Sequence, residues 1–162
     1  MAAPTLSITP GLQALRRGNL YFGGAQRAAT ASNHSYLQLF NPAGSGKLVT
    51  CISAVVNTNS TSNVVVGRFD TELTTKVLDI ASSVLGGSVG VCDVRTQIST
   101  TTPGTLLDDI IINNLQGVSS YLIPFVTADC PIIIPAGSGL TIGSTSQSVE
   151  LTGYFTVIEE DA

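Results

Sequence analysis

The stretch of this 162-residue chain nearest to a chemical motif is Gly44-Ser45-Gly46-Lys47. A glycine-rich loop ending in lysine is how a phosphate is cradled, by backbone N–H groups and one ammonium. The match fails twice: the pattern GxxxxGK[ST] needs Gly where Asn41 stands, and Ser or Thr where Leu48 stands. The residues after Lys47 read as a strand, not as the helix whose N-terminus would face phosphate. The letters Pro42-Ala43-Gly44-Ser45-Gly46 also recur at Pro135–Gly139, with Leu140 in the lysine's place. A sequence used twice, once without its lysine, is a turn.

Nucleophilic catalysis would have to use His34, the one histidine, and no GxSxG elbow accompanies it. Its neighbours Asn33 and Ser35 read as a polar surface loop. Carboxylate pairs stand at Asp70/Glu72 and Asp108/Asp109. Two carboxylates can hydrolyse a glycoside, and oxygen ligands including Asn113-Asn114 would suit calcium. No EF-hand spacing supports calcium, and acids beside strand ends are ordinarily solvated. Cys51, Cys92 and Cys130 are odd in number and widely spaced, each in or beside an apolar run. They read as buried structural thiols in a reducing cytoplasm, not as a disulfide framework or metal set. The sequence therefore assigns no catalytic, cofactor-binding or metal residues, and it reads as a structural protein, not an enzyme.

The elements that would position any contact are strands. Tyr36–Phe40 alternates, with Leu37 and Leu39 on one side and Tyr36, Gln38 and Phe40 on the other. Leu48–Val56 is apolar on both faces, Leu48, Ile52 and Val56 against Val49, Cys51 and Val55, as in a strand covered on both sides or covered by a partner chain. The clearest strand is Val149–Ile158, before Glu159, Glu160 and Asp161 end the chain in water. Asn19–Gly24 is a short first strand ending at its glycines, Val64–Phe69 and Val89–Ile98 are strands, and Pro124 marks an edge or bulge within Gly117–Thr127. Thr71–Gly87 reads either as a short helix, from Leu73, Val77, Ile80, Ala81, Val84 and Leu85, or as a strand through Lys76–Ile80. Leu106–Asn113 is strand or one helical turn. Residues 1–18 form an extended arm, in which Pro4, Pro10 and Gly11 interrupt any regular element. Residues 19–162 make one domain of short strands with turn signals between them. That is an all-β antiparallel sandwich, a jelly roll by preference over an immunoglobulin-type sandwich, since Trp is absent.

Composition bears on partners. Hydrophobic residues make up 43% and charged ones only 11%, against about 25% in ordinary domains, with a net charge of -4. Neutral hydroxyls and amides cost less to desolvate than Lys or Glu, so such a surface suits extensive protein contact; a neutral surface without a partner is the plainer alternative. The acidic balance argues against nucleic acid, and Arg16, Arg17 and Arg27 are too few for a phosphate-binding face. No apolar run is long enough for a membrane span, and the N-terminus does not read as a signal peptide.

The segment Tyr36-Leu37-Gln38-Leu39-Phe40-Asn41-Pro42-Ala43-Gly44-Ser45-Gly46-Lys47 resembles the opening strand–turn of small virion proteins of tailed bacteriophages. Ile134–Leu140, succeeded by a terminal alternating strand, is similar to the end of the same proteins. The resemblance spans roughly residues 35–70 and 130–160. It implies a jelly-roll or β-sandwich accessory protein of the particle, without active-site residues. The expectation is a capsid decoration (cement) protein, assembled in the host cytoplasm into the virion, which binds itself as a homotrimer and the major capsid protein. The N-terminal arm and the Ser/Thr-rich loops are its contact candidates. A tail, neck or fibre position is the alternative, and a carbohydrate-binding jelly-roll module is the alternative of another class.

Overall fold

A computed structural model describes residues 10–84, 86–117 and 123–162. The elements in chain order are α1 (Pro10–Arg17), β1 (Leu20–Arg27), β2 (His34–Asn41), β3 (Lys47–Thr58), β4 (Ser62–Arg68), β5 (Thr75–Asp79), β6 (Ala81–Ser82), β7 (Asp93–Ser99), α2 (Pro103–Leu106), β8 (Asp109–Gly117), β9 (Ile123–Val126), β10 (Ile132–Ile134), β11 (Ser138–Ser144) and β12 (Leu151–Asp161). They form two antiparallel sheets packed face to face, an all-β sandwich. Sheet A runs β10-β3-β12-β1-β6, with β9 also paired to β3, and sheet B runs β5-β7-β2-β11-β4-β8.

The pairing is nested. β1 pairs with β12, β2 with β11, β3 with β9 and β10, and β4 with β8. The chain thus runs out along β1–β4 and returns antiparallel along β8–β12. Residues between β4 and β8 are inserted into this ribbon. Their strands extend both sheets at the opposite edge, β7 on β2, β5 on β7 and β6 on β1.

Alternation drives the two layers together. Leu37, Leu39, Leu140 and Ile142 of sheet B face Leu151, Phe155 and Val157 of sheet A in one buried cluster. Each fully buried side chain of this size is worth roughly 1.5–3 kcal/mol. In β3 the alternation changes phase. Thr156 pairs with Ser53 but Val157 with Cys51, so Ile52 is the extra residue of a bulge. Val49 and Cys51 before it, and Ala54 and Val56 after it, therefore all reach the core. This corrects the face assignment expected for Leu48–Val56, because a one-residue slip flips every later side chain. The second face of β3 is covered at Ile52 by this chain itself, where Ala14 of α1, Leu20 and Ile158 form a small cluster.

Other expectations are corrected or resolved by long-range packing. Residues 10–17 are helical despite Pro10 and Gly11, because proline's fixed φ suits a first helical position and its missing N–H has no partner to lose there. Thr71–Gly87 takes the strand alternative, as β5 and β6. Its apparent helical stripe divides between two places, with Leu73 on the outside of sheet B and Ile80 in the sandwich core. Leu106–Asn113 divides between the end of α2 and β8. β1 continues through Gly23-Gly24, because the absent Cβ atoms leave room for Ile80 and Val94 on one side and the Tyr154 ring on the other. Tyr121-Leu122 lies outside the described residues.

The outer faces of the two sheets differ. β2 is buried along its whole length, because the inserted segment folds over sheet B. Pro103 fills the space above Gly143, Leu107 that above Gly67, and the Tyr36 hydroxyl donates to the Thr101 carbonyl. On sheet A, α1 covers only the end near Leu20 and Ile158, and beyond it Phe22 and Tyr154 stand exposed. No described helix is long and apolar enough to cross a membrane.

Candidate functional site

The repeated Pro-Ala-Gly-Ser-Gly stretches meet in space. In each, the serine N–H donates to the proline carbonyl three residues earlier, Ser45 to Pro42 and Ser138 to Pro135, both at 3.2 Å. The glycine between them has positive φ, 73° at Gly44 and 80° at Gly137, a backbone state that disfavours side chains. Asn41 ties the two turns together. Its carbonyl accepts the Gly137 N–H at 2.7 Å, and its Nδ2 donates to Lys47 O at 3.1 Å and Ile134 O at 3.0 Å. Lys47 points to the chain end, pairing with Asp161 at 2.6 Å, and that carboxylate raises the lysine's pKa. This is a structural corner, with its cation turned to a neighbouring acid.

The acid pairs separate. Asp70 and Asp109 converge on Arg68, at 3.5 and 2.8 Å, while Asp108 accepts the Asp70 N–H at 2.8 Å and Ser138 Oγ donates to Asp70 at 2.6 Å. Glu72 goes elsewhere, to Arg95 at 2.8 Å. Arg95 also holds the buried Asp93 through Nε at 2.7 Å and Nη2 at 3.1 Å, donates to Leu73 O at 3.1 Å, and lies 5.7 Å over the Phe40 ring. Lys76 bridges Asp79 at 2.5 Å and Asp93 at 3.5 Å. These networks pin the inserted segment to sheet B. Of the arginines singled out near the N-terminus, Arg17 lies 3.9 Å from Glu160 and Arg27 ends β1. Among the described residues no group of three or more His, Cys, Asp or Glu side chains is placed to hold a metal.

His34 is a correction. It is not a surface side chain but 4% exposed, with Nδ1 2.9 Å from the Ser144 carbonyl, so Nδ1 carries the proton. The hydroxyls beside it serve the backbone, Ser35 Oγ donating to Val149 O and Ser144 Oγ accepting from Ser35 N. The polar letters around His34 hide the fact that they start a strand between two others.

The cysteines also divide. Cys51 and Cys92 are buried and free, while Cys130 is exposed at the Thr127–Cys130 turn, against expectation. Burial pushes the Cys51 thiol up to about 12; burial first, then the Glu159 and Asp93 carboxylates, push the Cys92 thiol up as well. Neither is a ready nucleophile.

Glu159 is a second correction, and nothing in the letters around it signals its role. It is 4% exposed, not in water. Its Oε1 accepts the N–H of Val91 at 2.9 Å and of Cys92 at 3.0 Å, and Oε2 also approaches Val91 N at 3.0 Å. It clamps the loop before β7 to β12.

One edge of the sandwich presents Ile111 of β8 and Ile133 of β10, 49% and 59% exposed. Ile111 and Ile133 share a cleft of about 80 Å³ with Arg68. The open outer face of sheet A presents Phe22 and Tyr154 around a shallow cup of about 430 Å³. The chain matches no protein family, no curated protein and no solved structure.

Proposed function

We propose that this chain is a structural protein of a tailed-phage particle, a decoration protein that binds the assembled shell as a small homo-oligomer, a trimer, contacting itself and the major capsid protein. The observation that carries the reading is the isoleucine side. Ile111 and Ile133 are large apolar side chains left in water on adjoining edge strands of the two sheets, with Arg68 the neighbouring cation already paired to Asp70 and Asp109. Edge strands carry unpaired backbone groups and are normally guarded by charge. An apolar edge of low net charge is cheap to desolvate against a second copy of the chain. The resemblance of residues 36–47 and 134–140 to phage virion proteins points the same way.

The fold reading that accompanies this is a jelly roll. A jelly roll is an antiparallel ribbon rolled into two sheets. The nested pairs β1·β12, β2·β11, β3·β10 and β4·β8 support it, since β1, β12, β3 and β10 lie in one sheet and β2, β11, β4 and β8 in the other. The β5–β7 insertion is then an embellishment of one connection.

A decoration protein binds the assembled lattice and not free subunits, and so stabilises the shell by mass action. Sedimentation of the purified chain at micromolar concentration should give a trimer, and it should pellet with assembled shells but not with free capsid protein. Ile133→Asp should abolish the trimer and leave a folded monomer, because that side chain is 59% exposed; its melting temperature should fall only by the share that self-association contributes and lose its dependence on protein concentration. A monomer that ignores shells overturns the proposal. Binding that needs a tail or neck component moves the protein to that part of the particle.

A further inference from the structure

We propose that the cup on the outer face of sheet A is a binding site for a neutral hexose ring of a glycan. The cup is built around Gly24. This glycine pairs with Tyr154 across β1 and β12, and a Cβ there would run into the Tyr154 ring. The ring therefore occupies the space that a side chain at residue 24 would need. Yet the residue is 51% exposed, so part of its side chain is open to a ligand. Phe22, 46% exposed, stands on the same side of β1 two residues away, opposite Thr156. The two aromatics flank a depression of about 430 Å³ whose lining includes Gly24, Ala81, Thr156 and Asp79. That volume falls within the range of small-ligand sites, about 300–1,000 Å³, which pair apolar walls with a few polar groups.

Exposed aromatic rings beside a depression offer the apolar surface on which the C–H face of a pyranose packs. The Thr156 hydroxyl and the Asp79 carboxylate, whose Oδ1 also pairs with Lys76, are the groups that take the sugar hydroxyls. Asp79 is the one charged residue in the lining, and it is an acid. Uronic and sialic acids are therefore disfavoured, and the occupant is an uncharged hexose. The cup lies away from the isoleucine edge used for docking, because it is lined by β1, β12 and β6 of sheet A and by β5 of sheet B, whereas β8 and β10 are the edge strands at the opposite ends of the two sheets. A particle carrying this chain can thus hold the shell and a surface polysaccharide at once.

The test is a glycan microarray of neutral and acidic oligosaccharides, then calorimetric titration of the best neutral hit against the full chain and its variants. The expected result is binding to neutral hexose glycans, weakened at least tenfold by Tyr154→Ala and largely kept by Tyr154→Trp, which preserves a ring. Asp79→Asn tests the polar rim independently of folding at Tyr154 and should weaken binding while opening the site to acidic sugars. Melting curves of each variant show whether the sandwich is intact. An array with no neutral hits overturns the inference. So does binding that Tyr154→Ala and Asp79→Asn both leave unchanged, or a Tyr154→Ala effect confined to self-association, which would make the cup a protein contact. None of these outcomes bears on docking through Ile133, so the two proposals fail separately.

Discussion

Replacing Glu159 by alanine is expected to lower stability by about 3 kcal/mol, although the residue lies in a terminal acidic run. The carboxylate accepts the N–H groups of Val91 and Cys92 in a buried site. Alanine leaves both donors without a partner, and an unsatisfied buried donor costs about 1–3 kcal/mol. In a chain of this size each kcal/mol moves the melting temperature by roughly 2–4 °C, so thermal unfolding should shift by roughly 6–12 °C. Glu159→Gln keeps one acceptor oxygen for the two N–H groups but loses the negative charge and places an NH₂ group near the Val91 N–H, so it should recover only part of the loss. Hydrogen exchange locates the damage: the amides of Val91 and Cys92 should lose protection before those of β2 and β11. An unchanged melting temperature in Glu159→Ala would mean that the clamp is absent.

The second large effect is at Gln38. Its side chain is fully buried on the outside of sheet B. Nε2 donates to the carbonyls of Phe69 and Thr71, both at 3.1 Å, and Oε1 accepts the Leu73 N–H at 2.9 Å. One side chain thus bonds the start of the insertion to the sheet at three points. Gln38→Leu is similar in bulk but leaves three backbone groups of residues 69–73 unpaired. We expect a loss of about 3–5 kcal/mol, with the same segment becoming susceptible to limited proteolysis. Gly139 beneath it explains the fit, since a Cβ there would meet Nε2 of Gln38 at 2.5 Å. A Gln38→Leu variant as stable as the parent would show that the insertion is held without Gln38, by its ion pairs and by the packing of Leu73, Pro103 and Leu107.

These two residues also show where the sequence stops being readable. β12 is legible because its alternation is local: Leu151, Gly153, Phe155 and Val157 all face the core. The β2–turn–β3 corner is legible for the same reason, with Gly44 and the proline announcing the turn. The phase change at Ile52 is not, because a bulge is decided by the register of β12 and leaves no mark in the apolar letters of β3 itself. Glu159 and His34 read as solvated although both are buried. Their burial depends on partners far along the chain, Val91 and Ser144, that no window around either residue contains. The Leu73-to-Val84 stripe imitates a helix because two buried residues belong to different layers. Among candidate site residues, the acid pairs are visible as letters. Only the fold shows that Asp70 and Asp109 share Arg68 while Glu72 turns to Arg95. The cup of Phe22 and Tyr154 is invisible in the sequence, since it needs β1 and β12 side by side.

One sheet face sealed by an insertion, one left open, and an apolar edge between them describe a protein with more than one surface to offer. The proposal that it decorates a phage shell is tested most directly by counting it. Quantitative mass spectrometry of purified particles, referenced to the major capsid protein, should find hundreds of copies per particle, in a fixed ratio to capsid subunits set by the shell's symmetry. About a dozen copies or fewer, or none, would contradict decoration of the shell.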